Sequence, residues 1–141
     1  FKSLNEYKHI DSGGGCLNNL GYRIPNKTQF IKDYKFTVAF ENSSLWNDTV
    51  PGYTTEKIFE PMIVNSVPIY WGNPLIHLDF NQKSFINYFE YDSFDEMINK
   101  IIKIDTDDNL YYEYLNQQYV ISYVNSFFNI NKLCDFLKEI L

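Results

Sequence analysis

The apolar residues of this chain fall into short continuous runs that are separated by stretches with helical spacing. Continuous runs lie at residues 34–40 and 66–71, and a shorter one lies at residues 85–87. Runs of this kind are typical of strands that a parallel sheet buries on both faces. A further short strand is predicted over residues 7–11, after a helix that ends near Glu6.

The segment that follows Gly52 has the spacing of an amphipathic helix. Thr54 or Thr55 can cap its first turn, because a threonine hydroxyl accepts from N–H groups that lack partners within the helix. The predicted inward positions are Ile58, Phe59, Met62 and Ile63. Pro61 lies inside this helix, so a kink or a short first segment is expected there.

Other helices are predicted on both sides of this segment. Ser93 and Glu96 form a capping-box pattern ahead of an amphipathic run. Further helices are predicted over residues 27–33, 107–117 and 131–141. Strands that alternate with helices and short loops predict an α/β fold, in which a parallel sheet carries helices on both faces. The 141 residues suit a single domain, residues 1–141.

Composition narrows the classes of partner. The net charge is −6 and Arg23 is the only arginine, which argues against nucleic-acid binding, since that requires a clustered basic surface. Cys16 and Cys134 lack the spacing of a metal or dithiol motif, so two reduced, partly buried thiols are expected. No apolar run approaches the roughly 20 residues that span a bilayer. Because the first residue is Phe1 rather than Met, we expect the chain to be part of a longer protein.

The candidate chemistry lies at the helix start Thr55-Glu56-Lys57. The first N–H groups of a helix lack internal partners and the helix dipole is positive there, so an anion binds readily. Lys57 adds positive charge for a diphosphate, and Glu56 adds an acceptor for ribose hydroxyls. These groups together suit a sugar nucleotide. The alternative interpretation is an ordinary capped helix with solvated charges.

Polar residues near this helix start are further candidates. Asn42 follows a predicted strand, at the end where ligands bind in open α/β sheets, and its amide suits a phosphate. Tyr53 suits stacking on a base or bonding to a phosphate. The glycine-rich loop at residues 12–15, with Ser12 and Gly13, allows a backbone to approach a ligand closely. A loop-capping asparagine, a surface tyrosine and a plain turn are the alternatives.

Two other kinds of function remain open from the residues alone. Asp105 and Asp107 suggest a metal-dependent sugar-nucleotide enzyme holding Mg²⁺ or Mn²⁺, although their position between two predicted helices favours helix caps. A non-catalytic α/β domain that binds a partner is the other hypothesis. Its interface would be an aromatic surface formed by Trp46, Tyr111, Tyr112 and Tyr114.

Several spaced blocks resemble the α-1,3-fucosyltransferase family (glycosyltransferase family 10). The blocks are Ala39-Phe40-Glu41-Asn42, Tyr53-Thr54-Thr55-Glu56-Lys57, Val67-Pro68-Ile69-Tyr70-Trp71-Gly72 and Ser84-Phe85-Ile86-Asn87. The likeness runs from about residue 7 to residue 115. It implies the C-terminal, Rossmann-like, donor-binding half of a GT-B glycosyltransferase, whose N-terminal acceptor domain is absent from this chain.

The resemblance also implies residue roles. Lys57 would contact the diphosphate of GDP-fucose and Glu56 its ribose. Asn42 and Tyr53 would lie in the phosphate region, and Thr55 would support the turn. The loop with Ser12 and Gly13 would lie near the nucleotide. The loop at residues 43–52 looks longer than in compact bacterial members of the family.

The implied reaction is inverting transfer of L-fucose from GDP-fucose to a GlcNAc-containing glycan, most simply in an α-1,3 linkage, with no metal required. The family's catalytic base, a glutamate, belongs to the N-terminal domain, so this chain alone is expected to be inactive. If the source is bacterial, a role in lipopolysaccharide synthesis and a cytoplasmic location, peripheral to the inner membrane, are expected. If it is eukaryotic, the Golgi lumen is expected.

Overall fold

The computed structural model describes residues 1–15, 17–42, 44–45, 48–49, 51–121, 131, 134–135 and 138–139, with backbone alone for residues 44–45 and 48–49. The helices α1 to α5 cover Lys2–Tyr7, Lys27–Ile31, Glu56–Ile63, Phe94–Thr106 and Asp108–Leu115. The strands β1 to β5 cover Phe36–Phe40, Ser44–Leu45, Asp48–Thr49, Val67–Trp71 and Ile86–Asn87. The helix predicted over residues 131–141 lies largely outside the described residues.

A parallel three-stranded sheet in the order β1-β4-β5 forms the centre of the described part of the fold. Strand β1 pairs with β4 so that Phe40 lies opposite Trp71, and β4 pairs with β5. The carboxyl ends of β1 and β4 therefore meet at the same edge of the sheet. The apolar runs at residues 34–40, 66–71 and 85–87 correctly predicted these three strands.

The two faces of the sheet bury different helices, as the α/β prediction requires. One face packs Val67 and Ile69 against Leu4 of α1 and against α4 and α5. The other packs Ala39 and Tyr70 against Ile58 and Met62 of α3. Alternate residues of one strand thus serve two cores, because successive side chains of a strand point to opposite faces.

Helix α3 starts as predicted but buries less than predicted. Ile58 and Met62 are buried, whereas Phe59 is 42% exposed and Ile63 is 51% exposed. The helix has only eight residues and Pro61 lies inside it, so a narrow stripe, rather than four positions, faces the sheet. The expectation that Phe59 and Ile63 point inward is therefore wrong.

The strand predicted over residues 7–11 does not form. Helix α1 continues to Tyr7, and the backbone of Ile10 is hydrogen-bonded by side-chain amides instead of a neighbouring strand. Asn5 Oδ1 accepts from the N–H of Ile10 at 3.0 Å, and Asn19 Nδ2 donates to its carbonyl at 2.7 Å. These amides take the backbone groups that a sheet would have paired.

Outside the central sheet, the structure differs from the sequence expectations in two places. The polar stretch after β1 contains a short antiparallel hairpin, β2 with β3, which the sequence pattern did not indicate. Cys134 is a free and exposed thiol, so it is not partly buried as expected, and Cys16 lies outside the described residues. Among the described residues, no helix is long and apolar enough to cross a membrane.

Candidate functional site

The candidate site is built where β1 and β4 end. Glu41 follows β1 directly, and its backbone N–H donates to the carbonyl of Trp71 at 2.9 Å. Gly72 and Asn73 follow β4 and are both buried. The loop that leads into α3 lies against this edge, because side chains from both strand ends hold it there.

The Glu41 carboxylate holds the first turn of α3 from the β1 side. Its Oε1 accepts from the backbone N–H of Thr55 at 2.8 Å, and its Oε2 accepts from the Thr55 hydroxyl at 2.7 Å. The Glu41 side chain is fully buried. A buried carboxylate is costly unless it is hydrogen-bonded or paired, and here both oxygens have donors.

Lys57 lies next to this carboxylate. Its Nζ is 3.7 Å from Glu41 Oε2, and its side chain is 19% exposed. The hydroxyl of Thr55 also caps the helix, since it accepts from the N–H of Lys57 at a long 3.4 Å. One acidic, one basic and one hydroxyl side chain thus form a compact network, Glu41–Thr55–Lys57, at the helix start.

Asn73 holds the same loop from the β4 side. Its Oδ1 accepts from the N–H of Gly52 at 2.9 Å, and its Nδ2 donates to the Thr54 hydroxyl at 3.0 Å. Gly52 has a φ of 83°, a left-handed conformation that favours glycine. The backbone N–H of Asn73 donates to Tyr70 Oη at 3.0 Å.

Tyr70 supports this arrangement as a neutral group. Burial raises the pKa of its hydroxyl; the N–H of Asn73 opposes that shift in part, and the nearby Glu41 carboxylate adds to it. The hydroxyl therefore stays protonated at any physiological pH. Tyr70 is fully buried, so it forms part of the floor beneath the site.

The sequence-predicted residues at the helix start lie together around this network. Thr55 and Lys57 belong to it, while Glu56 and Tyr53 are exposed beside it and Asn42 is exposed directly after Glu41. The N–H of Glu56 makes no hydrogen bond to another residue of the described part of the chain. The start of α3 therefore carries a cation, an exposed carboxylate and a backbone N–H that no other described residue uses.

The loop with Ser12 and Gly13 packs within its own segment. The N–H of Ser12 donates to Asn19 Oδ1 at 2.7 Å, and the carbonyl of Gly13 accepts from the N–H of Ile24 at 3.4 Å. A Cβ on Gly13 would come within 2.4 Å of the Ile24 side chain, so the close approach that this glycine allows is to Ile24. That the loop also lies near a nucleotide stays a prediction.

The two aspartates of the metal hypothesis have other partners. Asp105 lies inside α4, not between helices, and accepts from Lys8 Nζ at 2.8 Å and from the Tyr7 hydroxyl at 2.9 Å. Asp107 caps α5, because its Oδ1 accepts from the N–H groups of Asn109 and Leu110. The cap interpretation is confirmed for Asp107 and wrong for Asp105. Over the described residues, no group of three or more His, Cys, Asp or Glu side chains could hold a metal ion.

The aromatic surface of the partner-binding hypothesis does not form as predicted. Tyr111 is buried in the core and donates to the carbonyl of Asn65 at 3.0 Å, and Tyr114 is half-buried. Tyr112 alone of these three tyrosines is well exposed, at 58%. Trp46 lies outside the described residues.

Sequence reasoning missed Glu41 and Asn73 as members of the site. Glu41 follows its predicted strand directly and Asn73 lies two residues after the end of its own, and residues in such positions collect at the ligand-binding edge of a parallel sheet. That signal was strong enough to single out Asn42, which is exposed, but Glu41 is the residue that turns inward to the helix start.

A parallel sheet with helices on both faces places the chain in the α/β class of proteins. A polar network at the carboxyl edge of the sheet is typical of members of that class that bind ligands there. The chain matches the model of "Glycosyltransferase family 10 (fucosyltransferase) C-term" over residues 1–140. It belongs to this family.

Sequence comparisons with individual proteins lead to the same family. The chain is 39% identical over 115 residues to the α-(1,3)-fucosyltransferase FucT of Helicobacter pylori, a match that covers 82% of this chain and 23% of that protein. It is 33% identical over 126 residues to the human GDP-fucose protein O-fucosyltransferase 3, covering 81% of this chain and 25% of that protein. The chain thus spans about a quarter of the length of the curated relatives it matches.

The fold matches solved structures as well. A crystal structure of an α1,3-fucosyltransferase with GDP-fucose superposes with a TM-score of 0.76 and 38% sequence identity, covering 83% of this chain and 33% of that chain. A crystal structure of an α1,3-fucosyltransferase with GDP gives the same TM-score and identity. These matches confirm the predicted fold class, the C-terminal half of a GT-B glycosyltransferase.

Proposed function

We propose that this chain is the donor-binding half of an inverting fucosyltransferase and that it holds GDP-fucose at the start of α3. The observation that carries the proposal is the helix start itself, which Glu41 and Asn73 fix at the carboxyl edge of the sheet. A site fixed before the ligand arrives loses less conformational entropy on binding. A related α1,3-fucosyltransferase has been crystallised with GDP-fucose, which supports this donor.

In the proposed complex each side chain contacts a particular part of the nucleotide. Lys57 and the unused N–H of Glu56 bind the diphosphate, because charge-assisted hydrogen bonds are the stronger kind. Glu56 accepts from the ribose hydroxyls. Asn42 and Tyr53 contact the phosphate region from the flanking loop. Glu56, Asn42 and Tyr53 are exposed, so a ligand can reach them without rearrangement of the core.

The proposed reaction is a single displacement. A general base elsewhere in the full enzyme takes the proton of an acceptor hydroxyl on a GlcNAc-containing glycan. The hydroxyl oxygen forms a bond to the anomeric carbon of fucose while the bond from that carbon to the β-phosphate oxygen breaks, which inverts the configuration and gives an α-1,3 linkage. Lys57 and the positive end of α3 stabilise the charge that grows on the departing GDP. These fixed positive groups supply what a metal ion would otherwise supply.

Titration calorimetry with GDP tests the site. We expect the wild-type chain to bind GDP, and Lys57→Met to weaken binding by about ten- to a hundredfold, the equivalent of one charge-assisted hydrogen bond of roughly 1.5–3 kcal/mol. Methionine keeps most of the length of the lysine stem, so packing around the stem is largely retained. Binding is expected to be the same with and without a chelator.

The matched control is Lys83→Met, which removes an exposed lysine elsewhere on the chain and is expected to leave GDP affinity unchanged. A wild-type chain that gives no binding heat with GDP would refute the donor-binding proposal. Equal affinities for wild type and Lys57→Met would refute the assignment of the site to α3.

A further inference from the structure

Glu41 presents an electrostatic problem that its hydrogen bonds alone do not explain. A buried negative charge close to a site for a diphosphate repels the ligand, and that repulsion is strong where water is excluded. A neutral amide has a single acceptor oxygen, so it could accept from the Thr55 N–H or from the Thr55 hydroxyl, but not from both as the two carboxylate oxygens do. The carboxylate therefore offers a second acceptor oxygen, and it also carries a charge that a neutral side chain lacks.

What the charge itself adds is electrostatic attraction to Lys57. The Lys57 Nζ lies 3.7 Å from Glu41 Oε2 and the lysine side chain is largely covered. A free lysine side chain loses up to roughly 2 kcal/mol of rotamer entropy when a ligand orders it. A counter-ion that already orders the ammonium removes part of that cost from the binding step.

The packing around Glu41 indicates that its position is fixed. A Cβ on Gly72 would come within 2.4 Å of Glu41 Cγ, so the glycine makes room for the acidic side chain. Both carboxylate oxygens are held by Thr55, at 2.8 Å and 2.7 Å. The Glu41 carboxylate therefore has a fixed position next to the Lys57 ammonium.

We propose that Glu41 is a positioning residue that acts through Lys57: it holds the lysine ammonium at the start of α3, ready for the diphosphate. The inference rests on the proposed function for the identity of the ligand. The inference can nevertheless be tested separately from the proposed function, because the ion pair between Glu41 and Lys57 exists without any ligand.

The first measurement needs no ligand. Lysine amines are labelled by reductive methylation under limiting reagent, and each site is quantified by peptide mass spectrometry. In wild type we expect Lys57 to be labelled more slowly than the exposed Lys83 and Lys103. In Glu41→Gln, which keeps the shape, removes the charge and turns one acceptor oxygen into a donating amide, Lys57 labelling should rise by about three- to tenfold, while Lys83 and Lys103 stay unchanged.

The second measurement is a double-mutant cycle on GDP affinity. Glu41→Gln is expected to weaken binding by about fivefold in the wild-type background. In the Lys57→Met background the same change should alter affinity by less than about twofold, because Glu41 then has no lysine to position. An equal loss in both backgrounds would show that Glu41 only supports the loop, and would overturn the inference.

A matched control comes from the same helix. Glu60 of α3 also pairs with a lysine, its Oε2 lying 2.6 Å from Lys27 Nζ, so Glu60→Gln removes a shorter and more exposed carboxylate–lysine pair from the same helix. It should change neither Lys57 labelling nor GDP affinity. If Glu41→Gln fails to fold, Glu41→Asp withdraws the carboxylate by one methylene, keeps the charge, and should expose Lys57 to labelling in the same way.

The outcomes separate the two claims. Unchanged Lys57 labelling in both Glu41 variants overturns the inference, whatever GDP does. Faster Lys57 labelling together with no GDP binding by wild type retains the Glu41–Lys57 pair but refutes the proposed function and the diphosphate role with it. Faster labelling together with a non-additive loss of GDP affinity supports both.

Discussion

At the scale of single residues, Gly72 shows how the site constrains a position that carries no side chain. A Cβ there would lie within 2.4 Å of Glu41 Cγ and within 2.8 Å of Tyr70 Oη. Neither neighbour can move aside, because Thr55 holds the Glu41 carboxylate and Tyr70 is fully buried. The constraint is packing rather than backbone conformation, since Gly72 is not among the described residues with a positive φ.

We predict that Gly72→Ala destabilises the protein by about 1–3 kcal/mol, the usual cost of overpacking a filled site, and weakens GDP binding as well. Urea unfolding measures the first effect and calorimetry the second. Gly14→Ala is the matched control: nothing lies within 4 Å of a Cβ at that position, so stability should change by less than about 0.5 kcal/mol. If the two alanine variants were equally stable, the packing argument for Gly72 would be wrong.

At the scale of elements, the start of α3 depends on one threonine that serves two purposes. The Thr55 hydroxyl donates to Glu41 Oε2 at 2.7 Å and accepts from the N–H of Lys57 at 3.4 Å. An ordinary cap performs only the second task. Helix α2 has such an ordinary cap, in which Asn26 Oδ1 accepts from the N–H of Gln29 at 2.9 Å.

Loss of the Thr55 hydroxyl should therefore cost more than loss of an ordinary cap. We expect Thr55→Val to lower the free energy of unfolding by about 2–3 kcal/mol, because it removes the cap and leaves a buried Glu41 oxygen without its donor. Asn26→Ala should lower it by about 1 kcal/mol, and Thr55→Ser should recover most of the loss. Urea denaturation compares the three variants. Equal losses for Thr55→Val and Asn26→Ala would show that the bond to Glu41 adds no stability.

The same helix shows how far the sequence predicts the fold and the site. Strands β1 and β4 were predictable because continuous apolar runs fit a sheet covered on both faces, and the start of α3 was predictable from its threonines. The link from Glu41 to Thr55 was not, because it joins residues 14 positions apart whose proximity depends on the β1–α3–β4 crossover. The burial of Tyr111 was missed for the same reason, since its partner Asn65 is 46 positions away.

At the scale of the molecule, an ion-pair cluster joins the first residues of the chain to its later helices. Asp105 of α4 accepts from Lys8 and Tyr7. Lys35, just before β1, lies 3.9 Å from Asp105 Oδ1 and 3.0 Å from Asp108 Oδ1. The Asp105 side chain is 7% exposed whereas that of Asp108 is 78% exposed, so Asp105 is the centre of the cluster.

The charge of Asp105 should make the stability of the whole fold depend on pH in a defined direction. Burial alone would raise the pKa of Asp105, but the hydrogen bonds from Lys8 and Tyr7 and the charges of Lys8 and Lys35 together hold it below its ordinary value of 3.8. A carboxyl group whose pKa is lowered by folding stabilises the folded state above its unfolded pKa. That contribution is lost as the pH falls below 3.8 and through the lower pKa of the folded state.

We predict that Asp105→Asn is less stable than wild type by about 1–2 kcal/mol at neutral pH. The difference should stay constant down to pH about 5 and shrink below pH about 4, because wild type then protonates the same carboxylate that the variant lacks. Urea unfolding of both proteins across this range measures the difference. Asp108→Asn, at the exposed end of the cluster, should cost less than about 0.5 kcal/mol. If the stability difference between wild type and Asp105→Asn stayed the same in acid, the contact between α1 and α4 would depend on the shape of the Asp105 side chain and not on its charge.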